Sequence, residues 1–348
     1  MQALILAGGS GTRFWPVSRK KTPKQLLAFG ETESLLQATV SRLQPLVGPE
    51  SVWVCTTAAL AAEVRAQLPE VPANQILEEP VGRNTALAIG WSVTCLLKEL
   101  DNEVIVVLPA DHHVEDVEKF QATLEVAAAA AADQDSILTL GVRPTRAEIG
   151  YGYLELGETL DDTGKIRRVL RFTEKPDLES AREFVSSGKF LWNAGIFVFR
   201  GRVLLDRLRQ HQPELAEGLA EIETSPNRLV EIYSDLPAIS IDHGLMEKLG
   251  DLGTVPLDCG WTDLGSWEAM WEQLGPDSDG NVVSGEVISI DSKNNLLMST
   301  DGVVAAVGVE GLVIVKTRDA VLVIPKERSQ EVRQIVEQLA ATSRDDLL

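Results

Sequence analysis

Short apolar runs alternate with longer helical stretches from the first residues onward. Ala3, Leu4, Ile5 and Leu6 form an unbroken apolar run that predicts a strand, and residues 51–55 predict the next. Helices are predicted over 34–43, 58–67 and 85–100, the last rich in Ala, Leu and Ile. The run at 104–108 is apolar at every position, the pattern of a strand covered on both faces. Pro109 ends it, and the polar residues Asp111, His112 and His113 follow at once. An alanine-rich helix is predicted over 120–132 and a further strand over 137–141. This βαβ rhythm predicts an α/β fold with a mostly parallel, doubly wound sheet. Ligands of such sheets bind beyond the carboxyl ends of the strands. Residues 8–13 and Asp111 both lie there.

The rhythm changes near residue 150. Segments 151–156, 166–173 and 195–199 read as strands with short connections, which predicts an antiparallel extension of the sheet. Helices are predicted over 202–210, 213–221 and 241–249. Past the turn-rich segment 275–280 the composition shifts to short strands at 282–290, 295–299, 303–308 and 312–316, with glycine and Asn-Asn or Asp-Gly turns between them. A closing helix over 329–339 carries Val332, Ile335, Val336 and Leu339. The expected organisation is a large domain over 1–274, a linker over 275–280 and a small β-rich domain over 281–348. The small domain reads as a short β-helix-like solenoid or as an irregular sheet. It either forms a homodimer surface or covers the large domain.

Composition narrows the class. A chain of 348 residues with 44% hydrophobic and 24% charged residues is neither fibre nor disordered tail. Its formal net charge of −20 disfavours nucleic acid and anionic membranes as partners, unless positive charge is concentrated locally. Cys55, Cys95 and Cys259 are too few and too dispersed for a disulfide framework, and no CxxC pair suggests zinc. The N-terminus lacks a basic leader region and reads as a buried strand, and no stretch approaches the roughly 20 apolar residues of a membrane span. A cytoplasmic protein is the expectation.

Local charge tells a different story from net charge. Residues 1–30 hold five basic side chains (Arg13, Arg19, Lys20, Lys21, Lys24) and no acidic one. The same segment contains Leu6, Ala7, Gly8, Gly9, Ser10, Gly11, Thr12 and Arg13, a glycine-rich turn at the end of the first strand. Glycines let the backbone approach a polyphosphate closely and present its N–H groups. The plain alternative is a glycine turn flanked by solvent-facing lysines. The segment matches neither the dinucleotide GxGxxG pattern nor the P-loop.

The stretch GGSGTRFWPVSRKKTPKQLL resembles the signature of the sugar-phosphate nucleotidylyltransferases. Trp15 after Phe14, followed by Pro23, Lys24 and Gln25, is similar to the mannose-1-phosphate guanylyltransferase branch. Further branch-like motifs follow in order: EEPVGRNTA at 78–86, PADH at 109–112, FTEKP at 172–176, WNAGIF at 192–197 and WTDLGSW at 261–267. The resemblance runs essentially end to end. It implies a Rossmann-like nucleotidyltransferase domain over 1–274 that transfers GMP from GTP to mannose 1-phosphate with Mg²⁺, giving GDP-mannose and pyrophosphate. Other pairs, such as UTP or dTTP with glucose 1-phosphate, and a catalytically silent regulatory subunit are the competing readings. Phe14 stands where leucine is frequent, an apolar exchange. The resemblance is to a short single-activity form and not to forms fused to phosphomannose isomerase.

The resemblance also implies roles. Arg13 and Lys24 would meet the phosphates, aided by the backbone from Leu6 to Thr12. Asp111 and Asp263 would hold Mg²⁺ between substrate phosphates. Lys175 would meet the sugar phosphate and Glu174 the sugar hydroxyls, with Gly152, Asn193 and Gly195 near the sugar. Glu79, Arg83, Asn84 and Thr85 would surround the nucleotide. Arg13, Lys24, Asp111, Lys175 and Asp263 form the expected catalytic set. His112 and His113 lack a spaced third imidazole and read as residues that shape the site.

Overall fold

The computed structural model describes residues 1–9, 11–29, 31–133 and 135–348. Its packing divides the chain into two compact units. The first comprises Met1–Gly8, Val40–Ala110 and Val114–Trp261, and the second Gly9–Thr39, Asp111–His113 and Thr262–Leu348.

The first unit is built on a nine-stranded mixed sheet. Its strands are β1 (Gln2–Leu6), β2 (Val52–Thr57), β3 (Ile76–Glu79), β4 (Val104–Pro109), β5 (Leu138–Val142), β6 (Gly152–Thr159), β7 (Arg167–Glu174), β8 (Phe190–Arg200) and β9 (Gly253–Leu257), in the order β3-β2-β1-β4-β8-β5-β9-β7-β6. Strands β1 to β4 pair in parallel, with Leu6 opposite both Cys55 and Pro109. Strand β8 then runs antiparallel to β4, β5 and β6, which is the expected extension. Leu4, Ile105 and Val107 pack in one cluster with the helix Asn84–Glu99, which is buried from Ala86 through Thr94. Alternation sends Ala3, Ile5, Val106 and Leu108 to the opposite face, and these are buried too. The helix Val117–Asp133 buries Phe120, Leu124, Ala127 and Ala131, spaced as one helical stripe. Gly90 lets the helices Gly201–His211 and Pro213–Thr224 come close, because a Cβ there would lie 2.8 Å from Leu219.

The second unit contains β10 (Val282–Ser284), β11 (Val287–Ile290), β12 (Leu296–Ser299), β13 (Val304–Val307), β14 (Leu312–Lys316) and β15 (Val321–Pro325). Strands β10, β12 and β14 stack in parallel, as do β11 and β13, and β15 closes the larger sheet antiparallel. Successive coils of one chain therefore lie on each other, which is the solenoid alternative. The predicted strand 282–290 is two strands because Gly285, at φ +81°, turns between them. A Cβ there would lie 2.0 Å from the Ser299 carbonyl oxygen, so this corner demands glycine. Buried amides tie the coils: Asn295 Nδ2 donates to Asn281 Oδ1 and to the Val309 carbonyl, each at 3.0 Å.

The core of this unit draws on both ends of the chain. Phe14, Trp15 and Phe29 share one cluster with Leu264, Trp267, Val313, Val315, Leu322 and Val332. The Trp267 indole donates to the Trp15 carbonyl at 3.3 Å. Other expectations need adjustment. The helix predicted over 241–249 breaks at Leu245, leaving Ile241–Gly244 and a 3-10 turn Met246–Lys248, since Leu245 and Met246 are both drawn into the core. Among the described residues no helix is long and apolar enough to cross a membrane.

Candidate active site

In the second unit the glycine-rich turn is held by specific contacts. Gly11 sits at φ +57°, and a Cβ there would lie 2.4 Å from the Lys24 backbone nitrogen. Only glycine fits this approach. The Ser18 hydroxyl donates to the Gly11 carbonyl at 2.7 Å, and the Gln25 amide donates to the Gly9 carbonyl at 2.9 Å. The chain then enters a 3-10 turn, Thr12–Phe14, with Phe14 buried beneath it. Ser10, expected at the phosphates, lies outside the described residues.

Lys24 is 4% exposed, which overturns the alternative of a solvent-facing lysine. Its ammonium donates to Asp111 Oδ2 at 3.1 Å and to the Asp263 carbonyl at 2.6 Å. Three residues distant in sequence thus meet at one nitrogen. The backbones of His113 and Thr262 form an antiparallel bridge, with N–H to carbonyl distances of 2.9 and 3.1 Å, and so fix Asp111 and Asp263 beside each other. Asp263 turns on itself, its Oδ1 accepting from the Gly265 N–H at 2.9 Å. Burial alone would raise the Asp111 carboxyl. The Lys24 charge first, and then His112, hold it below its ordinary value, so it stays ionised. Asp111, Asp263, Lys24, Arg13, Thr12 and Arg333 line one cavity of about 440 Å³. Among the described residues Arg13 has no ion-pair partner.

The first unit holds the other candidates in two groups. Glu174 ends β7, Lys175 follows it, and Gly152 begins β6 directly opposite Glu174. A Cβ on Gly152 would lie 2.6 Å from Glu174 Oε2, so the carboxylate occupies the space that glycine leaves. Lys175, at φ +47°, donates to Glu174 Oε1 at 2.5 Å. Asn193 is locked. Its Oδ1 accepts from the Thr139 hydroxyl at 2.7 Å and the Gly195 N–H at 3.2 Å, while its Nδ2 donates to Asp242 at 3.0 Å.

Asp242 is the residue that sequence reasoning missed. Burial, with the nearby Glu174 charge second, pushes its carboxyl up to about 6. Glu247 joins the same group, accepting from the Glu174 N–H at 2.8 Å and contacting His243 at 3.0 Å. No local signal marked it: Asp242 and Glu247 flank the break at Leu245 in a segment that periodicity reads as one plain helix. Tyr151 stacks edge-on against Trp192 and Trp261, at 5.1 and 5.6 Å, beside this group.

The second group surrounds the start of the helix Asn84–Glu99. Asn84, at φ +65°, receives the Thr85 N–H on its own side chain, and the Thr85 hydroxyl accepts from the Ile241 N–H at 2.8 Å. Thr85 therefore fixes the segment that carries Asp242. Arg83 Nε is buried and has no hydrogen-bond partner among the described residues. Glu79 is buried, hydrogen-bonded by the Tyr233 hydroxyl, and burial raises its carboxyl above the ordinary range. Its Oε2 stands 3.3 Å from where a Cβ on Gly8 would be, placing Glu79 beside Gly8, just past the end of β1.

Residues 2–277 match the nucleotidyl transferase family, and residues 285–339 match the mannose phosphate isomerase/GMP-like β-helix domain. Proteins named mannose-1-phosphate guanylyltransferase from Klebsiella pneumoniae and Escherichia coli are each 39% identical over 353 residues, covering 99% of this chain and 74% of theirs. A solved structure from Thermus thermophilus, described as a mannose-1-phosphate geranyltransferase, superposes with a TM-score of 0.90 at 38% identity, over 97% of this chain and 99% of that one. The chain belongs to the nucleotidyl transferase family, as an enzyme with a Rossmann-like domain followed by a β-helix domain. Within it, the chain is of the mannose-1-phosphate guanylyltransferase-like kind. Enzymes of this family use a divalent metal.

Proposed function

We propose that the chain transfers GMP from GTP to mannose 1-phosphate, forming GDP-mannose and pyrophosphate. The observation that carries this reading is the buried Lys24, joined to Asp111 and to the Asp263 backbone in a cavity that also holds Arg13. A lone buried ammonium is costly, so its place beside two carboxylate loops is a built charge arrangement. A phosphate oxygen of mannose 1-phosphate attacks the α-phosphorus of GTP in line. The new P–O bond forms as the bond to the β-phosphate oxygen breaks, and the electron pair leaves with pyrophosphate. The attacking oxygen is ionised near neutral pH, so the protein's task is positioning and charge neutralisation.

Lys24 neutralises charge that builds on the phosphates, and Arg13 forks onto their oxygens. The backbone from Leu6 to Thr12, with Glu79, Arg83, Asn84 and Thr85, surrounds the nucleotide. Lys175 takes the sugar phosphate. Glu174 and Asp242 accept from sugar hydroxyls, and Asn193 and Gly195 act by holding Asp242 and the adjoining backbone. Mg²⁺ fits Asp111 and Asp263, because this ion takes one or two carboxylates plus substrate phosphates and not a closed protein cage. Their bridged loops and the ionised Asp111 suit it. When bound, it would supply neutralisation of phosphate charge at those two carboxylates. The division at 275–280 stays our reading of the domains, supported by the seam between the two family matches.

Steady-state pyrophosphate release with Asp111→Ala and Asp263→Ala tests the assignment. Loss of most turnover in each is expected. Near-normal activity in either variant removes that residue from the site.

A further inference from the structure

The cavity around Lys24 has a cationic wall residue that no recognised motif contains: Arg333, from the helix Val332–Ala341. Its neighbour Val332 is fully buried in the cluster that includes Phe14 and Trp15. The first turn of this helix is thus packed with the turn that carries Arg13, and Arg333 is delivered to the cavity by that packing. Its Nε donates to Glu337 Oε1 at 2.9 Å, in an i,i+4 pair whose side chains are both largely exposed. Such a pair holds a guanidinium only weakly. Arg333 has no other partner among the described residues, so its remaining N–H groups are available to an anion. Lys24, by contrast, already uses two of its three N–H donors on Asp111 and the Asp263 carbonyl.

We propose that Arg333 binds the diphosphate part of the triphosphate: with Arg13, it takes the β- and γ-phosphates and keeps hold of them as pyrophosphate leaves. The inference rests on the transfer reading above and deepens it. Two guanidinium forks suit a diphosphate, whose paired oxygens accept bidentate hydrogen bonds, better than a single lysine does. The C-terminal helix then contributes directly to binding and is more than a cover or an assembly surface.

The reverse reaction separates this role from others, because GDP-mannose lacks the leaving diphosphate. KM for pyrophosphate and KM for GDP-mannose would be measured for the wild type, Arg333→Gln and Arg333→Lys. Arg333→Gln should raise the pyrophosphate KM by roughly tenfold or more, with the GDP-mannose KM within about twofold of wild type. Arg333→Lys should recover part of the loss. The side chain is 72% exposed, so an unchanged melting temperature is expected for both variants. An unaltered pyrophosphate KM in Arg333→Gln, or an equal rise in both KM values, overturns the inference while leaving the transfer reading intact. A wild-type enzyme without turnover in either direction sinks the transfer reading, and the inference falls with it.

Discussion

At the scale of single residues, Lys24 and Asp242 show how burial sets chemistry. Replacing Lys24 with Met removes the larger of the two charges that keep the Asp111 carboxyl low and leaves His112 beside it. We expect kcat/KM for GTP to fall by about 10²-fold or more, in line with the loss of one preorganised electrostatic contact. A steady-state assay would show it, and a fall below threefold would remove Lys24 from the phosphates. Asp242 gives a stability prediction with a definite sign. Its carboxyl titrates near 6 in the fold, above its ordinary value of 3.8, so the fold favours the protonated form. That preference stabilises the protein fully below pH about 4 and is lost as pH rises through 6. Asp242→Asn should therefore raise the melting temperature at pH 7.5, by at most about 3 kcal/mol of stability, and the advantage should vanish at pH 4. Equal melting curves at both pH values would contradict the assignment of burial as the cause.

At the scale of elements, the glycine turn is the most demanding piece. Gly11→Ala places a Cβ against the Lys24 backbone at a left-handed φ, a strain of about 1–2 kcal/mol. Lys24 must then shift from Asp111. The expected result is a small drop in melting temperature with a disproportionate loss of turnover; normal activity would mean that the turn does not set Lys24. This element was legible in the sequence, since glycines and clustered basic charge at a strand end carry a local physical meaning. The strands β1, β2 and β4 were legible for the same reason, each being a compact apolar run. The split of 282–290 at Gly285 was not, because the Ser299 carbonyl that excludes a side chain comes from the next coil. Asp242 was hidden likewise: the forces that break its helix are the burial of Leu245 and the grip of Thr85 and Asn193, all non-local. Lys24 was named, but its burial depends on residues 87 and 239 positions away.

At the scale of the whole molecule, a net charge of −20 coexists with a basic turn near the N-terminus, where residues 1–30 hold five basic side chains and no acidic one. The contrast is resolved by packing. Phe14 and Trp15 anchor the basic turn in the same core as Val313, Leu322 and Val332, so that turn depends on the C-terminal coils for its shape. Deleting 281–348 should therefore abolish turnover and expose Phe14, Trp15 and Trp267. A truncated chain with wild-type kcat/KM would contradict this, and tryptophan fluorescence would report the exposure. Substrate choice tests the transfer itself. Pyrophosphate release would be measured with Mg²⁺ across GTP, ATP, UTP and dTTP, each paired with mannose 1-phosphate and glucose 1-phosphate. The highest kcat/KM is expected for GTP with mannose 1-phosphate. Faster release with UTP or dTTP and glucose 1-phosphate, or no release with any pair, would contradict it.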